Sequence, residues 1–177
     1  ARGAPDANTV AAETVKGGIR SLHQMAAAEP TLAPAFNAYA STIDGTVDPR
    51  VAGIKPRVYV PNSTANPVDV IDPETFQVGD HFRVGSIPHH IAPAWDMSQL
   101  YVDNEGSSSL TVLDIHTGRP SGKRISIPFP YNLYFTPDGS KAIDVAEREQ
   151  RIIFYDLHNN WKFLKSVTIP WPGPSHL

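Results

Sequence analysis

No cysteine occurs in this chain of 177 residues. Disulfides, thiolate nucleophiles and cysteine-ligated metals are excluded at once, and either redox compartment is tolerated. No apolar run approaches the roughly 18 residues that a membrane-spanning helix requires. The charge is not strongly of one sign: the net value is −3 at pH 7, which gives no pull toward nucleic acid or an anionic bilayer. A Gly-rich phosphate loop, a nucleophile elbow and a zinc-binding helix motif are also missing. The chain begins Ala1-Arg2-Gly3 without methionine, as an exported protein does after signal removal, although an internal cut begins the same way.

What the sequence does contain is proline, 17 in all, placed as punctuation. Two regions differ in texture. Residues 1–56 are rich in Ala, Thr and Pro. Within them, Val10, Val15, Ile19, Leu22 and Met25 recur at helical spacing, so Thr9–Glu29 is expected to be partly helical despite the break at Gly17-Gly18. Pro30, Pro34, Pro49 and Pro56 interrupt the rest of this arm, which is expected to add no strand to the following region.

From Arg57 onward the chain repeats. Val68-Asp69-Val70-Ile71-Asp72 returns as Leu110-Thr111-Val112-Leu113-Asp114 and as Ile152-Ile153-Phe154-Tyr155-Asp156, each 42 residues on. Arg57-Val58-Tyr59-Val60 is matched by Gln99-Leu100-Tyr101-Val102 and Lys141-Ala142-Ile143-Asp144. Pro88-His89-His90-Ile91 is matched by Pro130-Tyr131-Asn132-Leu133, and a displaced third copy ends the chain at Pro174-Ser175-His176-Leu177. Each full unit carries four strand-like runs: His89–Ala94, Leu100–Asn104, Leu110–Ile115 and Lys123–Pro128, then Tyr131–Thr136, Lys141–Ala146, Arg151–Leu157 and Phe163–Ile169. Asp96–Gln99, Glu105–Ser109 and Thr117–Gly122 are expected turns, and Thr136-Pro137-Asp138-Gly139 has turn chemistry. Four antiparallel strands at this period predict an all-β chain of propeller blades.

Arg57-Val58-Tyr59-Val60-Pro61-Asn62 and Leu100-Tyr101-Val102-Asp103-Asn104 resemble the motif that names the YVTN-repeat β-propellers, the lactonase-like and surface-layer-type seven-bladed group. Val84-Gly85-Ser86-Ile87-Pro88-His89-His90-Ile91 is similar to that family's blade junction. The resemblance covers residues 57–177, about two-thirds of the chain; it implies the fold and says little of function. Ala142-Ile143-Asp144-Val145 departs from the motif, and residues 1–56 carry no resemblance. The unit at Arg57 lacks its innermost strand, and Pro174–Leu177 is expected to begin a new one, so roughly two and three-quarter blades are expected where propellers have about 4 to 8. The expected domains are an arm, 1–56, and a partial propeller, 57–177, completed by further sequence or another chain. The competing architecture is a small open sandwich of three sheets.

Blade geometry gathers His89, His90, Tyr131, Asn132 and His176 at the channel face. These are the expected ligand-binding residues, with His90 and His176 as candidate metal ligands. The structural alternative is that each histidine bonds nearby backbone. Glu105 and Glu147 are repeat-equivalent candidates for acid–base work, expected instead to be solvated loop charges. Asp72, Asp114 and Asp156 are expected to cap turns. Trp95, Trp161 and Trp171 occupy different repeat positions and are not expected to build a stacking platform. No catalytic constellation is identified. The leading expectation is an extracytoplasmic (periplasmic, secreted or cell-surface) binding or scaffold module for a protein or small ligand, with no nucleic-acid partner and no cofactor named. The alternatives are a metal-, haem- or quinone-dependent oxidoreductase subunit and a lactonase-type hydrolase.

Overall fold

Short runs of alternating apolar residues fold as antiparallel strands when a turn lets each run pair with the one before it. In the computed structural model, which describes residues 47–177, this yields three sheets. The first holds β1 (Val58–Pro61), β2 (Pro67–Ile71) and β3 (Val78–Arg83). The second holds β4 (Pro88–Pro93), β5 (Gln99–Asn104), β6 (Ser109–Asp114) and β7 (Pro120–Ser126). The third holds β8 (Pro130–Phe135), β9 (Lys141–Ala146), β10 (Arg151–Asp156) and β11 (Lys162–Thr168). Within each sheet the spatial order follows the chain, and every pairing is antiparallel. The expected third strands coincide with β6 and β10.

Among the described residues β1 pairs on one side only, with β2. Residues 47–57, the described stretch before it, carry one 3-10 turn at Pro49–Val51, capped by the Asp48 carboxylate, and no strand. The expected helix at Thr9–Glu29 lies outside the described residues. Two expectations need correction. β7 starts at Pro120, inside the stretch expected to turn: between Thr111 and Leu113 the register shifts, β7 carrying the extra residues, so that Leu113 faces Pro120. Pro174–Leu177 forms no ladder; it meets β8 through the Asn132 and Tyr134 side chains instead.

The turns follow their chemistry. Asp72, Asp114 and Asp156 each accept backbone N–H groups two or three residues on, as expected. Gly139 closes the Thr136 turn at φ +68°, with its N–H on the Thr136 carbonyl at 2.8 Å.

Because strand side chains alternate, the middle sheet buries both faces. Val102 and Leu113 pack with Val68 toward the first sheet. Tyr101, Leu110 and Val112 pack with Leu133, Ala142, Ala146, Ile153 and Tyr155 toward the third. Asn104 sits fully buried at the junction of the first two sheets. Its amide donates to the Val102 and Ser109 carbonyls and to Thr111 Oγ1, and its oxygen accepts the Gly85 N–H at 3.0 Å. A side chain at position 85 would collide, since an added Cβ would lie 2.6 Å from Asn104 Cβ. The asparagine of the repeat motif and the glycine of the junction are thus one device.

Two acids are placed less comfortably. Asp103 on β5 and Asp144 on β9 lie on the facing sides of the second and third sheets, both 0% exposed. Neither carboxyl has a hydrogen-bond partner, nor has the buried Tyr155 hydroxyl. Burial, then the neighbouring Asp144 charge, raises Asp103 well above the usual carboxylate range. Burial, then the charge of Glu149, pushes Asp144 up to about 8.

Candidate functional site

Each innermost strand enters its sheet at the end where the second-to-third-strand loops also lie. β4 and β8 therefore deliver His89, His90, Tyr131 and Asn132 to one end, and the tail delivers His176. The five come together. The Tyr131 ring stands 4.7 Å from His89 and 4.9 Å from His90, and His90 meets His176 edge-on at 5.4 Å between ring centroids. Asn132 joins His176 at 2.9 Å.

The hydrogen-bond network assigns the ring protons. A carbonyl only accepts, so His90 Nδ1 donates to the Tyr131 carbonyl at 2.6 Å, and the neutral ring keeps a lone pair on Nε2. The Asn132 amide donates to the Tyr134 hydroxyl and to His176 Nδ1 while its oxygen accepts the Leu133 N–H. The neutral His176 ring therefore carries its proton on Nε2. One acceptor and one donor stand side by side. Among the described residues no three His, Asp or Glu side chains converge as a metal site would require.

Glu105 departs from the reading as a solvated charge. It is 3% exposed, in the 3-10 turn after β5. His89 Nε2 donates to its Oε2 at 3.2 Å and Arg148 Nε to its Oε1 at 2.9 Å. A carboxylate survives there because both oxygens have charged or ring N–H donors. Its repeat-equivalent Glu147 is only partly buried and has no ion pair among the described residues. Partners 16 and 43 residues away, on β4 and on the turn after β9, make the difference, which no local pattern reveals.

Around this carboxylate opens a cleft of roughly 550 Å³, lined by Ser63, Thr64, His89, Glu105, Glu147 and Arg148 among others. Loops of all three sheets meet there, within the usual range of about 300–1,000 Å³ for ligand sites. His89 and His90 also border a hollow of roughly 460 Å³ beside β1, with Arg57 and Tyr59. At the opposite end, Trp95 and Trp161 line a common cleft despite their different repeat positions; Trp171 is outside it.

Solved structures with this architecture include the hydrazine synthase of Kuenenia stuttgartiensis, 25% identical with TM-score 0.54 over 67% of this chain and 34% of that one. A protein from Desulfotomaculum acetoxidans is 18% identical, TM-score 0.50, over 64% of this chain and 37% of the other. A putative 6-phosphogluconolactonase of Bacteroides uniformis is 13% identical, TM-score 0.55, over 66% and 40%. The chain thus spans between a third and two-fifths of these proteins. No curated protein sequence matches it. The profile of one family covers residues 16–177, starting well before Arg57, where the repeat resemblance begins. With three antiparallel sheets in register behind that match, the chain belongs to the YNCE-like beta-propeller family.

Proposed function

We propose that this chain is part of an extracytoplasmic propeller that works as a binding module, taking a small polar ligand or a partner's polar side chain at its channel end. His89, His90, Tyr131, Asn132 and His176 are the contacts. The observation that carries the reading is the edge-on meeting of two imidazoles, 5.4 Å between centroids, whose Nδ1 contacts leave a lone pair on His90 Nε2 and an N–H on His176 Nε2. That arrangement suits hydrogen bonding to a ligand with adjacent donor and acceptor groups, whereas two metal ligands would both present lone pairs. The remaining blades, from the rest of the protein or another chain, would fill the hollow beside β1 and complete the wall. No helix among the described residues is long and apolar enough to cross a membrane.

A fragment screen by NMR on the complete protein tests this. Hits should shift the five residues' signals, and His90→Ala should remove those shifts while the protein stays folded. Hits that ignore this end would defeat the proposal. Absorption spectra and metal analysis of protein from its native source address the oxidoreductase alternative: a stoichiometric chromophore or metal would replace the binding reading.

A second reading is hydrolytic, favoured by the contact of His89 with the buried Glu105. A carboxylate that holds one ring nitrogen as N–H leaves the other basic, the geometry of an oriented general base. Glu105→Gln would then abolish turnover of a lactone probe while leaving the channel contacts bound.

A further inference from the structure

At the end of the sheets away from the histidines, turns of neighbouring blades enclose a cleft of roughly 430 Å³. Its walls are aromatic: Trp95 from the β4–β5 turn, Tyr101 of β5, Phe135 of β8 and Trp161 from the β10–β11 turn. Tyr101 is the hub, meeting Trp161 edge-on at 5.2 Å and Phe135 at 6.0 Å. Trp95 is fixed by its Nε1–H on the Pro137 carbonyl at 3.0 Å and by Gly139, where a Cβ would approach the indole to 2.5 Å. Asn160 and Trp161 are both left-handed, at φ +48° and +59°. For a bulky side chain such backbone is a genuine outlier, held here while the indole packs at the cleft and against Tyr155.

The rim is polar. Asp96, Gln99, His158 and Asn160 line it; Asp96 Oδ1 takes the Ser98 N–H and hydroxyl and the Gln99 amide donates to the Tyr101 hydroxyl, which leaves Asp96 Oδ2, the Gln99 oxygen, His158 and Asn160 as donors and acceptors. The Asp138 carboxylate is already taken by Thr136 Oγ1, the Ser140 N–H and the Ser140 hydroxyl. No lysine or arginine lines the cleft, so it has nothing for an anion. Arg50, beside the cleft, is paired with Asp48 and donates to the Trp95 carbonyl at 3.0 Å. For a cation the cleft leaves Asp96 Oδ2 as its one carboxylate oxygen without a donor among the described residues, and a choline control reads that outcome. What remains is flat apolar faces edged by neutral hydrogen-bonding groups, which matches a ring that is apolar across its C–H face and hydroxylated around its edge.

We infer that this aromatic cleft is a second binding site, for a neutral sugar. The test is titration of the complete protein with N-acetyl-D-glucosamine, D-galactose and cellobiose, with choline as the cationic control, followed by tryptophan fluorescence and calorimetry. At least one sugar is expected to bind saturably and to change indole emission. His158→Ala and Asp96→Asn, both on exposed residues, should each weaken that binding about tenfold, the loss of one good polar contact. Trp161→Ala should abolish it, and Trp171→Phe should leave it unchanged. Circular dichroism checks folding; if Trp161→Ala unfolds, the two rim variants decide. Failure of all three sugars to saturate, preference for choline, or sugar binding indifferent to the rim variants would overturn the inference.

Discussion

Replacing Asp144 by asparagine should make this protein more stable at alkaline pH. The acid is fully buried between the second and third sheets, its oxygens unpartnered, and burial pushes it up to about 8. In the unfolded chain the same group titrates near the ordinary 3.8. A carboxyl whose native value is raised is neutral in the fold and ionised in the unfolded chain between those two points. The folded state then binds more protons, so its stability is greatest at low pH and falls as pH rises toward 8. The slope is about 1.4 kcal/mol per pH unit. Across the three units from pH 5 to 8 the loss approaches about 4 kcal/mol from this group, an upper figure because the structure can relax and water can enter. Asp103, facing the same seam, shares the titration, and the two protons belong to the pair rather than to either residue. The asparagine side chain mimics the neutral acid in shape. The variant should match the wild type only near the ordinary 3.8, exceed it by about 1–2 kcal/mol at pH 5 and by several kcal/mol at pH 8, measured as urea unfolding midpoints of the complete protein at four pH values. Taking the difference between the two proteins cancels the histidines. A difference that does not grow with pH would refute the argument.

Gly85→Ala should destabilise by about 1–3 kcal/mol, the usual cost of overpacking, because the new methyl meets Asn104; thermal unfolding measures it. Asn104→Ala should cost about 1–3 kcal/mol by leaving the buried Gly85 N–H without its acceptor, with faster exchange of that amide proton as the specific sign. Arg148→Ala removes one of two partners from the buried Glu105 and should cost about 1–2 kcal/mol, discounted because the arginine is half exposed. Glu105→Gln made on top of it should show non-additivity in a double-mutant cycle.

The fold was legible because the repeat states it three times. Alternation located every strand of the two full blades, with β7 set about three residues late, since the irregularity within it leaves no trace in a list of residue types. The site was half legible. His89, His90, Tyr131 and Asn132 sit at strand beginnings whose direction the repeat dictates, so their meeting follows from the period; His176 joins them from a tail that forms no strand, through Asn132. Glu105 was misread because what buries it, His89 and Arg148, comes from other elements. Asp103 carried a usable signal: it shares a strand face with Tyr101, two residues before it, and an acid on a core-facing position asks for an explanation. That Trp95 and Trp161 share a cleft was not legible, because comparing repeat positions tests rotational equivalence, whereas a cleft between blades draws on different loops of neighbouring units.

The strand order within each sheet, always that of the chain, has a consequence for how the molecule comes apart. Ladder contacts are local, so each blade can zip up as it is made, and cooperativity between blades rests on the seams alone. The seam between the first and second sheets is tied by the satisfied amide of Asn104. The seam between the second and third holds two unpartnered acids. Raising the pH charges that second seam and leaves the first unchanged. Opening there would carry Tyr131 and Asn132 away from the two histidines of β4, so alkaline stress is expected to dismantle the channel cluster.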